Sequence, residues 1–399
     1  MRFNEIQLLP AFQDSSPSPL METCVIVPVK DEAGHLQANL LSLLQQIDEQ
    51  DNRLTFESYE VLVLVNNSTD SSLAIAEEFQ KANPSFCLHV ASIELPPELA
   101  HIGTVRKLLM DQACRRFELL GNHSGIIASI DGDTTADAQW IHHIRQEIAS
   151  GNDAVGGRIF TSDHAGSAER AFLQDTEYRL LLTEVEHILC PELNDPLPRH
   201  FQFFGANMAV TAEYYKKSGG IPLVDVLEDM AFHKALIRCD ARIRRSLNVK
   251  VTTSPRFDGR VAIGFSEQLK KWSDESQGSV IQIVEDSRLF INFYLLKRQF
   301  RNCWLHKNDL FFKMQVKDLA VSLGLSPRLL KSKISSHSFF GACWEEIWQE
   351  SSLGQNKVKA FEPMHSAIQK LRAFIENPDV TVFQIDPADS YLYADGTNA

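Results

Sequence analysis

Two carboxylates separated by one residue follow an apolar run in the first half of the chain. The run IIASI at 126–130 ends in Asp131, Gly132 and Asp133. On extended backbone, side chains two residues apart point the same way, so both carboxylates can reach one hard cation. Asp-Gly is also a common turn dipeptide, so a plain polar turn is the competing interpretation. These residues alone leave both interpretations open.

Two further polar clusters also follow apolar runs that are typical of buried strands. The run CVIVPV leads into KDE at 30–32, and YEVLVLV leads into NNSTD at 66–70. Segments with helical spacing of apolar residues separate these runs. The alternation predicts an α/β fold, with a mostly parallel sheet covered by helices on both faces. Because ligands bind beyond the carboxyl ends of such strands, we expect the three clusters to converge at one edge of the sheet.

The pattern along the chain changes near residue 266. Before that point come the small-residue run FFGANMAV, the acidic pair in LEDMAF, and the basic stretch TTSPRFDGR. After it the spacing of apolar residues is mostly helical. We therefore predict an α/β domain over 1–265 and a mostly helical C-terminal extension over 266–399.

Composition narrows the class of protein and of partner. The 399 residues have 44% hydrophobic content and a net charge of −13, which is typical of a globular protein and unfavourable for general nucleic-acid binding. The seven cysteines are scattered without any C-x-x-C pair, as expected for free thiols in a reducing compartment. The sequence contains no signal-peptide pattern and no apolar stretch of membrane-spanning length. We expect a cytoplasmic protein.

Taken in order, the polar and small-residue clusters resemble glycosyltransferase family 2 proteins with the GT-A fold. The resemblance covers roughly 24–265, and the order of its segments carries more weight than any one of them. The segments are VIVPVKDE, VLVNNSTD, HIGTVRKLLMDQA, SIDGDT, FFGANMAV, LEDMAF and TTSPRFDGR. The resemblance implies a Rossmann-like domain that binds a nucleotide sugar.

The resemblance also implies a reaction and a metal. The reaction is a metal-dependent, inverting and non-processive transfer of a sugar from a UDP- or GDP-sugar to the hydroxyl of an acceptor that the sequence does not identify. Asp133 would bind Mn²⁺ or Mg²⁺ directly, while Asp131 would reach the metal through water or contact the ribose. Asp229 would be the general base, with its neighbour Glu228 as the other candidate. A divalent cation suits a diphosphate leaving group because it offsets developing negative charge.

The remaining implied roles are contacts to the substrate. The nucleotide, the diphosphate and the donor sugar would be contacted by Pro28, Lys30, Asp31, Glu32, Asn66, Arg106, Lys107, Asp131, Gly205, Asn207, Arg256 and Arg260. Among these, the two arginines in the basic stretch would suit a diphosphate, since guanidinium groups bind it in a bidentate manner.

The chain departs from the family pattern at several points. Lys30 and Asp31 stand where tyrosine and asparagine are frequent, and Val65 and Asn66 stand where two aspartates are frequent. The pentapeptide Q-x-x-R-W is missing, which argues against a processive synthase. Two alternatives stay open: a retaining transferase on the same fold, and a non-catalytic regulatory protein that binds a nucleotide sugar.

A local basic stripe interrupts the acidic composition. Between Lys297 and Lys333 there are nine lysines and arginines and two aspartates. The stripe could face an anionic acceptor or a membrane surface, although a solvated helical face is the favoured interpretation. Two short helices within it resemble a helix-turn-helix, but the net charge argues against DNA binding.

Overall fold

The computed structural model describes residues 12, 15–161, 169–254, 282–307, 312–355 and 360–378. The chain forms two compact units. Unit 1 contains Met1–His164, Gln202–Ile237 and Ala241–Glu267, and unit 2 contains Ala165–Phe201, Arg238–Asp240 and Gln268–Ala399. The segment 165–201 is therefore grouped with the later helices, while the predicted domain boundary after residue 265 stays a prediction.

Unit 1 is built around an eight-stranded sheet. The strands are β1 Thr23–Val29, β2 Tyr59–Asn66, β3 Leu88–Ile93, β4 Ile126–Ser129, β5 Thr134–Ala136, β6 Ala154–Thr161, β7 Met208–Thr211 and β8 Ile243–Thr253. Their order across the sheet is β3-β2-β1-β4-β7-β6-β8-β5. The pairs β3–β2, β2–β1, β1–β4 and β6–β8 are parallel, and the other three pairs are antiparallel. The predicted α/β fold with a mostly parallel sheet is confirmed.

The central strands are apolar along their whole length because both faces of the sheet are covered. Along β1, Cys24 and Ile26 belong to one buried cluster, whereas Val25 and Val27 belong to the cluster on the opposite face. This alternation is the period-two geometry of a strand. Val29 is in register with Val65, so the segments that follow β1 and β2 begin at the same edge of the sheet.

Helices pack against this sheet. The helices of unit 1 are α1 Leu36–Leu44, α2 Ser72–Ala82, α3 Ile102–Leu119, α4 Trp140–Ala149, α6 Ala212–Lys217 and α7 Glu228–Arg238, the last of which ends in unit 2. The side chain of His101 caps α3 by accepting a hydrogen bond from the backbone N–H of Thr104. One face of α3, which includes Val105, Leu109 and Phe117, is buried in the core.

Unit 2 is mostly helical in its described part, as the sequence predicts. Its helices are α5 Glu169–Leu189, α8 Ser287–Leu305, α9 Phe312–Leu323, α10 Pro327–Ser336, α11 Phe340–Glu350, α12 Ser352–Gln355 and α13 Met364–Glu376. A short antiparallel ribbon pairs β9 Ile283–Glu285 with β10 Phe361–Pro363. Over the described ranges, every helix is too short or too polar to cross a bilayer.

Several cations of the basic stripe are engaged within unit 2 itself. Arg301 pairs with Glu192, and Lys333 pairs with Glu350 at 2.7 Å. Lys307 lies over the ring of Trp304, with its Nζ atom 4.8 Å from the ring centroid. These contacts engage part of the stripe within unit 2, and its interpretation as a solvated helical face stays a prediction.

Candidate active site

The Asp-Gly-Asp segment forms a turn between β4 and β5. Asn39, on α1, donates from its Nδ2 atom to the carbonyl oxygens of Asp131 and Thr134 at 3.1 and 2.6 Å. Asn39 is fully buried. Because one amide group holds both ends of the turn, the two carboxylates of Asp131 and Asp133 are presented from a fixed backbone.

The turn is seated against the end of β1. A Cβ atom added to Gly132 would lie 3.2 Å from side-chain carbons of Val29 and Glu32 and 3.4 Å from the carbonyl oxygen of Pro28. A side chain at this position would therefore be tightly packed against the end of β1, and its neighbours would have to move by a few tenths of an ångström. The structure thus brings the DGD cluster to the KDE cluster, as the sequence predicts.

Hydroxyl groups surround the Asp133 carboxylate. Thr134 and Ser254 donate to it from their Oγ1 and Oγ atoms at 3.1 and 3.0 Å, and Thr253 does so at 3.4 Å. Two of these hydroxyls come from the end of β8 and the residue after it. The predicted diphosphate contacts Arg256 and Arg260 follow in the chain and lie outside the described residues.

Arg106 is the cation at the centre of the site. Its Nη2 atom donates to Oδ1 of Asp131 at 2.6 Å, its Nη1 atom donates to Glu228, and its Nε atom donates to Ser129 at 3.3 Å. The side chains of Arg106 and Glu228 are 3% and 7% exposed, whereas that of Asp131 is 33% exposed. A buried guanidinium therefore joins the Asp-Gly-Asp turn to the first residue of α7.

Gly205 connects this cluster to Asp229. Its backbone N–H donates to Oδ2 of Asp229 at 3.1 Å, and its carbonyl oxygen accepts from the hydroxyl of Ser129 at 2.7 Å. A Cβ atom at this position would lie 2.3 Å from the guanidinium carbon of Arg106, so only glycine fits here. The FFGANMAV run thus supplies a backbone contact to the predicted base.

The two acidic residues at the start of α7 have different environments. Glu228 is buried against Arg106, whereas Asp229 is half-buried and accepts backbone N–H groups from Gly205 and Met230. Leu227, just before them, has a φ of 58°. Since this left-handed conformation costs a non-glycine residue free energy, the surrounding contacts must hold the pair in place.

Negative charge accumulates where the turn and α7 meet. Removal from solvent raises the pKa of Asp131 above its ordinary value, and the nearby Asp133 and Asp229 carboxylates raise it further, while Arg106 opposes them. Crowded carboxylates and hydroxyl oxygens are the donor chemistry that Mg²⁺ and Mn²⁺ prefer. The residues therefore fit a divalent cation, although the described residues hold no cluster of three acidic, histidine or cysteine ligands.

The loops after β1 and β2 are joined to each other. Asp31, whose φ is 49°, accepts from the backbone N–H of Thr69 at 2.7 Å and donates its own N–H to the hydroxyl of Ser68 at 2.9 Å. Glu32 donates its N–H to Ser72 at 2.7 Å. Convergence of the two clusters follows the sequence prediction, and the Asp31 carboxylate helps to hold the loops together.

Four more of the residues predicted to contact the substrate differ in burial and in their partners. Lys30 is half-buried just after β1, and Asn66 is buried as the last residue of β2. Lys107 pairs with Asp111 on its own helix at 3.1 Å, on a different face of α3 from Arg106. Asn207 is completely buried, and its side chain accepts from Trp140 at 2.8 Å, so any contact to a donor sugar would have to use its backbone.

Sequence reasoning missed Asn39 and Ser129. Asn39 lies three residues after Leu36, on the face of α1 that periodicity assigns to the core, and a polar residue there signals a buried hydrogen-bonding role. Ser129 is likewise the polar residue inside an apolar strand. For both, the partner could be identified only from the fold, because the contacts join positions far apart in the chain.

Comparison with known proteins gives a family match over the first half of the chain. Residues 24–204 match the family model described as Glycosyl transferase family 2. Glycosyltransferase AglE of Haloferax volcanii is 29% identical over 157 residues, which are 39% of this chain and 45% of that protein. The match thus spans less than half the length of this curated relative.

The solved structures that match this chain include a mannosyltransferase and S. aureus TarS. Mannosyltransferase PcManGT from Pyrobaculum calidifontis, in complex with GDP-Man and Mn²⁺, has 14% identity and a TM-score of 0.42 over 91% of this chain and 90% of that one. S. aureus TarS 1–349, in complex with UDP-GlcNAc, has 14% identity and a TM-score of 0.44 over 89% and 91%. Because both TM-scores are low, the assignment of the fold rests on the strand order of the eight-stranded sheet. The family match over residues 24–204 and the similarity to glycosyltransferase AglE support the assignment of this part of the chain to glycosyl transferase family 2.

Proposed function

We propose that this chain is a metal-dependent glycosyltransferase that moves a sugar from a nucleotide-sugar donor to an acceptor hydroxyl with inversion. The observation that carries the proposal is the hydrogen-bonded chain from Asp131 through Arg106, Ser129 and Gly205 to Asp229. This hydrogen-bonded chain joins the Asp131 carboxylate of the Asp-Gly-Asp turn to the Asp229 carboxylate, which has different neighbours. Two such sites are what a displacement needs, one beside the leaving group and one beside the nucleophile.

On this proposal the Asp-Gly-Asp turn serves the donor diphosphate. Asp133 would hold the cation directly, and Asp131 would contribute through water or contact the ribose. A bound Mg²⁺ or Mn²⁺ would offset the negative charge that develops on the departing diphosphate. The hydroxyls of Thr253 and Ser254 orient the Asp133 carboxylate toward that task.

The nucleoside would lie where the loops after β1 and β2 meet. Pro28, Lys30, Asp31, Glu32 and Asn66 all belong to those strand ends or loops. The hydrogen bond from the N–H of Thr69 to Asp31 preorganises this surface for ligand binding. Arg256 and Arg260 remain our candidates for contacts to the diphosphate, and the donor base and sugar are left to experiment.

Asp229 is the better candidate for the base. The Glu228 carboxylate is buried and engaged by Arg106, so it is poorly placed to receive a proton from an incoming hydroxyl. Asp229 is half-buried, and the N–H groups of Gly205 and Met230 fix the direction of its carboxylate. It would take the proton of the acceptor hydroxyl as the new bond to the anomeric carbon forms.

The direct test is turnover of a panel of UDP-, GDP- and dTDP-sugars with Mn²⁺, with simple alcohols and sugars as acceptors. We expect release of the nucleoside diphosphate with one donor class and an inverted product anomer by NMR. Retention of configuration would assign the retaining alternative. Metal-dependent binding without any transfer or hydrolysis, by the wild-type chain, would favour the regulatory alternative.

A further inference from the structure

We propose that Arg106 is a positioning residue that divides its charge between Asp131 and Glu228, and that Glu228 thereby tunes how strongly Asp131 can serve a divalent cation. The inference rests on the proposed function, and it replaces the direct donor contact that the sequence suggested for Arg106. It assigns to Glu228 a role in cation affinity without any contact to the cation.

The guanidinium of Arg106 is engaged within the protein through all three of its nitrogen atoms. Each of its three nitrogen atoms donates to a different residue, namely Asp131, Glu228 and Ser129. The side chain is 3% exposed, and the backbone of Gly205 closes off the guanidinium carbon. To reach a diphosphate, Arg106 would have to abandon these contacts and leave Glu228 buried and unpaired, which is costly.

Glu228 is also held firmly in place. A Cβ atom added to Gly103 would lie 3.1 Å from Cβ of Glu228, so the first turn of α3 packs directly on this side chain. The left-handed φ of Leu227 and the start of α7 fix its backbone. Movement of Arg106 between its two acidic partners is therefore small, and its charge is shared rather than switched.

Charge sharing predicts the direction in which each substitution changes the affinity for the cation. Removing the charge of Glu228 leaves Arg106 to stabilise Asp131 alone. Asp131 then gains less from a cation, because the arginine already offsets more of its charge. Removing the charge of Arg106 has the opposite effect on cation affinity, while it destabilises the cation-free protein by leaving the buried Glu228 carboxylate uncompensated.

The experiment is a thermal-shift titration of the full chain with Mn²⁺ at a fixed concentration of nucleoside diphosphate. We expect Glu228→Gln to raise the Mn²⁺ midpoint by about fivefold or more, the usual lower range for coupling between sites. We expect Arg106→Gln to lower the melting temperature without Mn²⁺ and to leave the midpoint equal to or below that of the wild type.

A second buried pair in unit 1 provides the matched control. Arg116 and Glu60 form an ion pair in which both side chains are at most 4% exposed, and Glu60 contacts neither Asp131 nor Asp133 in the described hydrogen bonds and ion pairs. Glu60→Gln should lower the melting temperature and leave the Mn²⁺ midpoint unchanged. A purely structural role for Glu228 would make the two glutamine variants behave alike, which would overturn the proposal.

Two further measurements separate the remaining outcomes. If Glu228→Gln does not fold, Glu228→Asp keeps the charge but retracts it by one methylene, and an unchanged or lowered Mn²⁺ midpoint in that variant would overturn the proposal. Asp133→Ala tests the metal site independently. Loss of the Mn²⁺ response in Asp133→Ala, together with an unshifted midpoint in Glu228→Gln, would leave the proposed function standing and reject charge sharing.

Discussion

At the scale of single residues, the site distinguishes carboxylates that look equivalent in the sequence. Glu228 and Asp229 are neighbours, yet one is buried against Arg106 and the other is half-buried between two backbone N–H groups. The same holds for the turn, where Arg106 contacts Asp131 and hydroxyls contact Asp133. Environment, and not residue type, therefore assigns the roles that we propose.

Replacing Asp229 with asparagine tests the base. Asp229→Asn keeps the size and the acceptor oxygen but removes the basicity, so kcat should fall by about 10²–10⁴-fold while donor affinity stays near that of the wild type. Steady-state kinetics and calorimetry with the nucleoside diphosphate measure the two quantities. Near-normal turnover in Asp229→Asn, combined with an inactive Glu228→Gln, would point to the other carboxylate.

Replacing Asp133 with alanine tests the cation site. The side chain lies in a turn at the edge of the sheet, so Asp133→Ala should leave the melting temperature without metal close to that of the wild type. Its hydroxyl partners can bind water instead. Calorimetry with nucleoside diphosphate should show that Mn²⁺ no longer increases affinity. An unchanged metal-dependent gain would remove Asp133 from the site.

At the scale of elements, the sequence predicted the strands and their converging ends, but it could not predict which side chains meet. Apolar runs and helical spacing identify β1, β2, β4 and α3 because burial imposes their periods. The contact between Arg106 and Glu228 joins residues 122 positions apart. Whether Arg106 contacts a ligand or a buried acid depends on how closely α3, α7 and Gly205 pack together. The local sequence around each of them does not determine that packing.

Gly205 makes this closeness testable. The added methyl group of Gly205→Ala would overlap the Arg106 guanidinium, so the turn or the arginine must shift. We expect a loss of about 1–3 kcal/mol in the free energy of unfolding, the range for overpacking, together with reduced kcat. Gly34→Ala is the control for stability, since its Cβ would meet nothing within 4 Å. Equal denaturant midpoints for the two variants would contradict the close packing.

At the scale of the whole molecule, the family and the fold class were predictable, because they depend on the order of many weak signals. The match to 24–204 and the mixed sheet confirm both predictions. The second unit was predictable only as helical. Which segments join it depends on tertiary contacts, and these group Ala165–Phe201 with the later helices. Arg301 and Lys333 of the basic stripe pair with acidic residues of unit 2. That the stripe faces an anionic acceptor stays a prediction.

Stability of the whole chain should depend on pH through the buried pair of Glu60 and Arg116. Burial alone would raise the pKa of Glu60, but hydrogen bonds from His89 and Arg116 outweigh it and lower that pKa below its ordinary value. A carboxyl whose pKa is lowered by folding stabilises the native state above its unfolded pKa of about 4.3. This contribution is lost as the pH falls through the lower folded value.

Glu60→Gln should therefore flatten the pH dependence in the acidic range. The wild-type chain should lose free energy of unfolding steadily as the pH decreases below about 4.3, while the variant should start lower at pH 7 and decline less. Urea unfolding gives the free energy of unfolding of both proteins at several pH values between about 3 and 7, a range that brackets the ordinary pKa of glutamate. The two slopes against pH are then compared. Parallel slopes would mean that Glu60 keeps an ordinary pKa in the folded state, and that Arg116 is held mainly by the carbonyl oxygens of Phe12 and Ser15, to which it also donates.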